Sequence, residues 1–367
     1  MVHTILVAGG LGYIGSHVTV TFLKAGYHVV IADDCSNSSP EKMMVIRQVL
    51  TQEGLPSPKL DFIMIDLTSK ENTLGMFHQY NFDAVIALAG FKAVGESTMM
   101  PVQYYQTNLG IINNLLAGME ATNCYHLIFS SSATVYDPNA PLPYRESSPI
   151  GNNLTSPYGE SKYLIERVLA SVAKHQKKFK ITSLRYFNPV GNHPSGLLAD
   201  DPKKPLNLFP VITKSLLTKI PFTIFGTNYN TPDGSCQRDF IHVEDVSHAH
   251  LIALEVQLCQ DRIMGENQKK LNFENNNEEN YQVYNIGTGK PLSVLEIIRT
   301  FETVNNIQLD YIFGNPRAGD SPVTYSDPSK IMALGWSPKW SLDDCVRHSY
   351  RGLEISQSSS LDKSETE

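Results

Sequence analysis

Tyr158 and Lys162 stand four residues apart in SPYGESKYLIERVLASVAKH, a segment that reads as a helix from Pro157 onward. That spacing puts a phenol and an ammonium on one helix face. An ordinary tyrosine, with a pKa near ~10, is a poor base at neutral pH. A neighbouring ammonium favours the phenolate, and a lowering of about three units corresponds to roughly 4 kcal/mol. Lys162 could also hold ribose hydroxyls. The same spacing occurs where the tyrosine belongs to a core and the lysine to a surface, so it needs company. FSSSATVY (129–136) supplies it, since Ser132 could hydrogen-bond a reacting hydroxyl and relay its proton to Tyr158. A serine there could equally cap a turn.

A second cluster lies at the N-terminus. Gly9, Gly12 and Gly15 have the spacing GxxGxxG between an apolar run and a helical pattern. Glycine permits a tight turn and close approach of backbone to a pyrophosphate, and the helix start near Tyr13–Ile14 offers free N–H groups to it. Asp33 ends the next apolar run, where a carboxylate accepts from an adenine ribose 2′-hydroxyl and repels a 2′-phosphate; this favours NAD over NADP. Asp33 or Asp34 could instead cap a turn. Asp66 closes a third run, either beside the adenine or as a helix N-cap. Leu88 and Lys92 lie in LAGFK, at the carboxyl end of a fourth run, where ligands bind in open α/β sheets. Lys92 could reach a phosphate or ribose, or remain a solvated loop lysine. Phenol, ammonium and glycine turn together imply hydride chemistry with a tyrosine base.

These groups need a scaffold. Apolar runs at Thr4–Ala8, His28–Ala32, Leu60–Ile65, Ala84–Ala89 and His126–Phe129 alternate with helical segments. That alternation predicts an α/β fold, a doubly wound parallel Rossmann sheet, because parallel neighbours need a crossover helix. The runs are apolar throughout, as expected of strands covered on both faces. After about residue 188 prolines multiply and short strands (Phe222–Phe225, Val283–Ile286, Gln308–Ile312) mix with helices (Val243–Leu258, Ser293–Val304). This reads as a smaller, mixed α/β C-terminal substrate domain. The expected division is residues 1–187 for the dinucleotide and 188–353 for the substrate. A flexible insertion is expected at 260–282, rich in Asn, Glu and Lys, and a disordered tail at 354–367.

Bulk composition narrows the class. The chain has 367 residues, 41% hydrophobic and 18% charged, with a formal charge of −7, which gives no basis for non-specific nucleic-acid binding. Five scattered cysteines with no CxxC pair form neither a disulfide framework nor a zinc site, so no metal is expected. No apolar run approaches the ~18 residues of a membrane span. The N-terminal apolar stretch reads as a strand rather than a signal peptide. A cytoplasmic setting is expected.

The chain resembles the extended short-chain dehydrogenase/reductase family, and within it the 4-epimerases of UDP-hexoses. The resemblance runs from about residue 2 to 350 and rests on GYIGSH (12–17), KAVGES (92–97), SSSATVY, SPYG, LRYFNPVG (184–191), HPSG (193–196), DDP (200–202), RDFIHV (238–243), VYNIGTG (283–289) and RAGD (317–320). It implies tightly bound NAD contacted by Tyr13, Ile14, Asp33, Asn37, Asp66, Leu67, Lys92, Asn108, Tyr158, Lys162 and Phe187. It implies a UDP-sugar held by Asn188, Asn207, Leu208, Ile224, Phe225, Arg238, Arg317 and Asp320, and a homodimer through helices at 101–121 and 161–175. The implied reaction inverts C4 through a transient 4-keto sugar, with Ser132 and Tyr158 as the reacting pair and Lys162 in support. Departures from the family pattern include Leu88 in a nicotinamide-side wall and Asp137 where glycine is usual. Thr324 aligns with a residue beside the hexose, where a smaller side chain leaves room for an N-acetyl group. Relatives that dehydrate carry an acid beside the serine, where this chain has Ala133–Thr134.

Overall fold

The computed structural model describes residues 2–200, 205, 207–267, 280–317 and 320–364. The first elements are β1 (Thr4–Ala8), α1 (Tyr13–Lys24), β2 (His28–Asp33), α2 (Lys42–Gln52), β3 (Leu60–Met64), α3 (Lys70–Gln79), β4 (Ala84–Ala87), α4 (Val94–Met99), α5 (Pro101–Thr122) and β5 (His126–Ser132). There follow α6 (Pro157–His175), β6 (Lys180–Tyr186), β7 (Asn188–Val190), α7 (Leu208–Thr218), β8 (Phe222–Phe225), β9 (Gln237–His242) and α8 (Val243–Asn267). The last are β10 (Tyr281–Ile286), β11 (Pro291–Ser293), α9 (Val294–Asn305), β12 (Tyr311–Gly314), β13 (Val323–Thr324), α10 (Ser329–Met332) and α11 (Leu342–Ser364).

Seven strands form one sheet in the order β3-β2-β1-β4-β5-β6-β10, every neighbouring pair parallel. The uninterrupted apolar runs follow from its two covered faces. Ile5, Val7, Val29 and Ile31 point to one side, where Val18 and Phe22 of α1, Ile46 of α2 and Val246 and Leu254 of α8 pack on them. Leu6, Ala8, Val30 and Val85 point to the other, against Phe77 of α3, Leu115 and Met119 of α5 and Ile165 and Leu169 of α6.

A second core gathers Phe209 and Ile212 of α7, Phe222 and Ile224 of β8, Phe240 of β9, Ile297 and Phe301 of α9 and Val346 of α11. Around it lie a small sheet, in which β9 pairs with β7, β11 and β13, and the parallel pair β8–β12. The α/β class and the smaller mixed unit match the expectation.

Several expected elements are placed differently. Val283–Ile286, assigned to the smaller domain, belongs to β10 and closes the large sheet on β6, while α8 packs on α1. Residues well past 188 therefore complete the first layer. Local sequence gives a strand its type but not its partner. The helix expected to end at Leu258 continues to Asn267, since Gln260–Met264 contains neither glycine nor proline and reads as helix on propensity. Thus the expected insertion at 260–282 is helical at its start and strand at its end, and 268–279 lie outside the described residues. The strand expected at Gln308–Ile312 sits at Tyr311–Gly314. Residues 307–309 are taken up by the end of α9, where Glu302 accepts the Ile307 N–H on its carbonyl and the Leu309 N–H on its carboxylate. The expected tail is helix α11 as far as Ser364, with 365–367 outside the described residues. There the Ser356 hydroxyl bonds back to the Leu353 carbonyl. The fifth strand runs on from Phe129 to Ser132.

Buried imidazoles lie where α1 meets the smaller unit and, at His250 of α8, against Tyr186 of the large sheet. Burial lowers His17 to about 3, His242 to about 2, and His193 and His250 to about 4, from an ordinary 6.5. The folded chain then refuses protons that the unfolded chain accepts below about 6.5, so stability falls on acidification. Glu244, raised by burial to about 8, and Asp245, raised to about 6, act in the opposite sense, but four imidazoles outweigh two carboxyls between pH 6.5 and 4.5. We expect the melting temperature to drop steadily over that range in a calorimetric series. A constant or rising value would count against these assignments.

Candidate active site

The glycine turn joins β1 to α1. Gly9 has φ +80°, and a Cβ there would lie 2.7 Å from the Ala89 nitrogen; one on Gly15 would lie 2.1 Å from the Gly9 carbonyl oxygen. The three glycines thus let β1, α1 and the loop after β4 meet. Gly12 caps α1 without a side chain, and no acidic residue occupies its first turn. The helix start at Tyr13–Ile14 therefore faces the carboxyl edge of the sheet with free N–H groups, a fit for a pyrophosphate.

Asp33 ends β2 and is 8% exposed. It also ties the turn, accepting from the N–H of Leu11 and Cys35 (both 3.0 Å) and from the Ser38 hydroxyl (2.9 Å). Asn37 lies exposed between those partners. Asp66 accepts from the N–H and hydroxyl of Thr68 (2.8 and 2.7 Å), a local turn, whereas the N-cap of α3 is Ser69. Leu67 is buried, and its carbonyl accepts from Asn114. Asn108 holds the loop after β4 by its backbone. Its amide oxygen accepts from the Phe91 N–H (2.8 Å), and its NH₂ donates to the Phe91 carbonyl and to Ser161 of α6. Leu88 packs against the core on the α1 side, and the Lys92 ammonium lies 5.9 Å from the centre of the Tyr13 ring. This donor set and its shape fit NAD.

The end of β5 faces α6. Ser156 caps α6 by accepting from the Gly159 N–H, with Pro157 in the first turn. A Cβ on Gly159 would meet the Thr134 carbonyl at 2.8 Å, so glycine lets the helix close on the strand end. Tyr158, in the first turn of α6, faces Ser132 at the end of β5, near enough for the serine hydroxyl to favour the phenolate. Ser132 also accepts from the Thr134 N–H (3.2 Å) and hydroxyl (3.0 Å). Thr134 orients the serine, a role that the segment read as a strand end did not reveal.

One expectation needs correction. The protein atoms alone raise the Tyr158 pKa: burial is the larger cause, and the nearby Ser132 hydroxyl opposes it. Lys162 does not overcome that burial. Its ammonium donates to the Ser130 carbonyl (2.8 Å), sits 5.9 Å from the Tyr158 ring centre, and is itself lowered to about 8 by burial. The charge favouring the phenolate is weakened by the same burial that opposes it.

The smaller unit supplies a cationic wall. In β9, Arg238 donates to Asp320 (3.3 Å) and lies in register with Thr324 of β13. The Arg317 guanidinium stacks 4.1 Å from the centre of the Phe225 ring, which is 37% exposed. Buried Asp239 accepts from Thr288, Gly289 and Ser326, which locks β9 and β13 around this wall. Tyr229 was not foreseen. Its hydroxyl is buried without a hydrogen-bond partner among the described residues, near Asp320, Arg238 and Arg317.

Not every expected contact faces the crevice. Ile224 is 2% exposed and packed in the second core, because β8 alternates and Phe225 takes the outward position. Asn188 donates to the Asp239 carbonyl (3.2 Å). Phe187 packs beside Tyr136 and Tyr144. Asn207 begins α7 with its side chain uninvolved in capping, and Leu208 is half-buried behind it. Asp137 is a loop staple, accepting from the Asn139 N–H and from the Asn153 side chain.

Comparison with known proteins agrees with this geometry. The profile of the NAD dependent epimerase/dehydratase family matches residues 5–263. The chain is 37% identical to the UDP-glucose 4-epimerase of Haemophilus influenzae, covering 94% of this chain and 96% of that protein. It is similar to the crystal structure of a Stenotrophomonas maltophila UDP-glucose-4-epimerase with bound NAD and formylated UDP-arabinopyranose (TM-score 0.86, 32% identity, 97% and 99% of the two chains). It is also similar to that of a Bifidobacterium longum UDP-glucose 4-epimerase in complex with NAD+ and UDP (TM-score 0.85, 36% identity, 96% and 98%). With a glycine turn at the head of α1, a serine and a tyrosine facing each other at the sheet edge and a match over most of its length, this chain belongs to the NAD-dependent epimerase/dehydratase family.

Proposed function

We propose that this protein inverts C4 of a UDP-hexose, interconverting UDP-galactose and UDP-glucose with NAD retained throughout. The observation that carries the reading is the juxtaposition of Ser132 at the end of β5 with Tyr158 and Lys162 on one face of α6. NAD bound at that turn would exchange hydride with C4 and bring a cationic ring whose charge opposes the burial that raises the Tyr158 phenol. Tyr158 takes the C4 hydroxyl proton, directly or through Ser132, and later returns it to the same oxygen, when hydride would come back to the opposite face of C4. Arg238 and Arg317 neutralise the diphosphate, and Phe225 supplies an apolar wall for uracil. The nucleotide end is thereby anchored while the hexose turns. Dehydration is disfavoured, because Ala133 and Thr134 occupy the place beside Ser132 where elimination needs a carboxylic acid.

Two finer readings follow. Thr324, opposite Arg238, leaves more room at the sugar than an aromatic residue would, and so supports use of the N-acetylhexosamine pair. A homodimer is supported by exposed Met99, Val102 and Leu164 on α4, α5 and α6 (76%, 67% and 37%). The five cysteines are free thiols, in keeping with a reducing, cytoplasmic setting. No helix among the described residues is long and apolar enough to cross a membrane.

The purified protein should carry NAD and convert UDP-galactose to UDP-glucose. Tyr158→Phe should lower kcat by about 10²–10⁴-fold with KM little changed. Full activity in that variant would refute the base assignment. Thr324→Tyr should depress turnover of UDP-N-acetylgalactosamine at least about tenfold more than that of UDP-galactose. Equal losses on both substrates, or a parent inactive on the N-acetyl sugar, would overturn the pocket argument.

A further inference from the structure

Below the reacting pair lies a buried charge pair that the chemistry above does not use. Glu166 follows Lys162 by one turn, so Tyr158, Lys162 and Glu166 form one stripe at four-residue spacing along α6. All three side chains engage the serine run that ends β5. Tyr158 faces Ser132, Lys162 donates to the Ser130 carbonyl, and the Ser131 hydroxyl donates to the Glu166 carboxylate.

Arg185, in β6 opposite Ser131, grips the same carboxylate with two bonds, Nε to Oε1 (3.0 Å) and Nη2 to Oε2 (2.6 Å). Both side chains are 3% exposed. The remaining guanidinium nitrogen donates to the Tyr136 hydroxyl (3.0 Å) and to the Glu146 carbonyl (3.2 Å). Tyr136 in turn donates to Asn285 of β10 (2.6 Å).

We propose that Glu166, clamped by Arg185 and Ser131, is a positioning residue that sets α6 against the end of β5 and keeps a negative charge one turn from the Lys162 ammonium. An apolar pair would fill this space without desolvating two charges. It would neither fix the direction of the helix face nor hold a charge beside the lysine. The groups facing Glu166 are Arg185 of β6, Ser131 of β5, Lys162 of its own helix, Tyr281 of β10 and, across Arg185, Tyr136 with Glu146. Burial lowers Lys162, and Glu166 is the charge that opposes the fall. Without that charge the ammonium loses its proton at lower pH, and with it goes the support of the Tyr158 phenolate.

This inference rests on the epimerase reading, so its test begins with the parent enzyme, NAD retained, assayed on UDP-galactose from pH 6 to 9.5. A parent without turnover would count against that reading. In Glu166→Gln the alkaline limb of kcat should move down by about one unit, which makes the loss at pH 9 about tenfold greater than at pH 6.5, with KM within about twofold. A purely structural role would scale kcat equally at every pH, and a profile superposable on the parent's would overturn the proposal. Ser131→Ala keeps both charges and tests the clamp by itself, deciding the matter if Glu166→Gln does not fold. It should lower kcat about three- to tenfold with KM and the alkaline limb unchanged. A kcat equal to the parent's would overturn the proposal.

Discussion

The parallel pairing of β1, β2, β4 and β5 is the constraint on which the rest depends. In-register pairing sets Ala8 beside Ala32 and Ala87, and Ala87 beside Phe129, so these strands end at one edge. A parallel sheet sends every crossover across a face and back, which leaves its carboxyl ends open for ligands. The glycine turn, Asp33, the loop after β4 and the serine run all lie at those ends. Glycine at positions 9, 12 and 15 matters for the same reason, since the gap between β1, α1 and that loop is too narrow for a Cβ at Gly9 or Gly15.

Burial is used in two opposed ways around this edge. It packs Lys162 against the end of β5, where the ammonium donates to the Ser130 carbonyl, and it also raises the Tyr158 phenol and lowers Lys162, which disfavours their charged forms. The chain answers with charges placed nearby. Glu166 supports Lys162 from one side, and a cationic cofactor ring fits the other. In the smaller unit Asp239 is buried under five hydrogen bonds, beside the register in which Arg238 pairs with Thr324.

The local geometry around the sheet edge was legible because it depends on local spacing. The glycine triplet, the helix face carrying Tyr158 and Lys162, and the serine run need only a strand, a turn and a helix to acquire their geometry. Residues acting through another chain segment were not legible. Asn108 reads as a cofactor contact but spends its amide on Phe91 and Ser161. Ile224 reads as a wall residue but turns into the core, because strand alternation gives the open position to Phe225. Thr134, Tyr229 and Asp239 carried no motif signal of their own.

From its order of residues alone, this protein determined an α/β sheet with covered faces, a glycine turn after β1 and a tyrosine one helical turn from a lysine, since apolar periodicity and i, i+4 spacing act over a few residues. Tertiary structure decided that β10, some 95 residues after β6, closes the large sheet. It also decided that α8 covers α1 and that Arg185 meets Glu166. Those pairings set how deeply Tyr158 and Lys162 are buried, and so how readily each carries its charge. Desolvation is a property of everything packed around a group, and no window of sequence contains it.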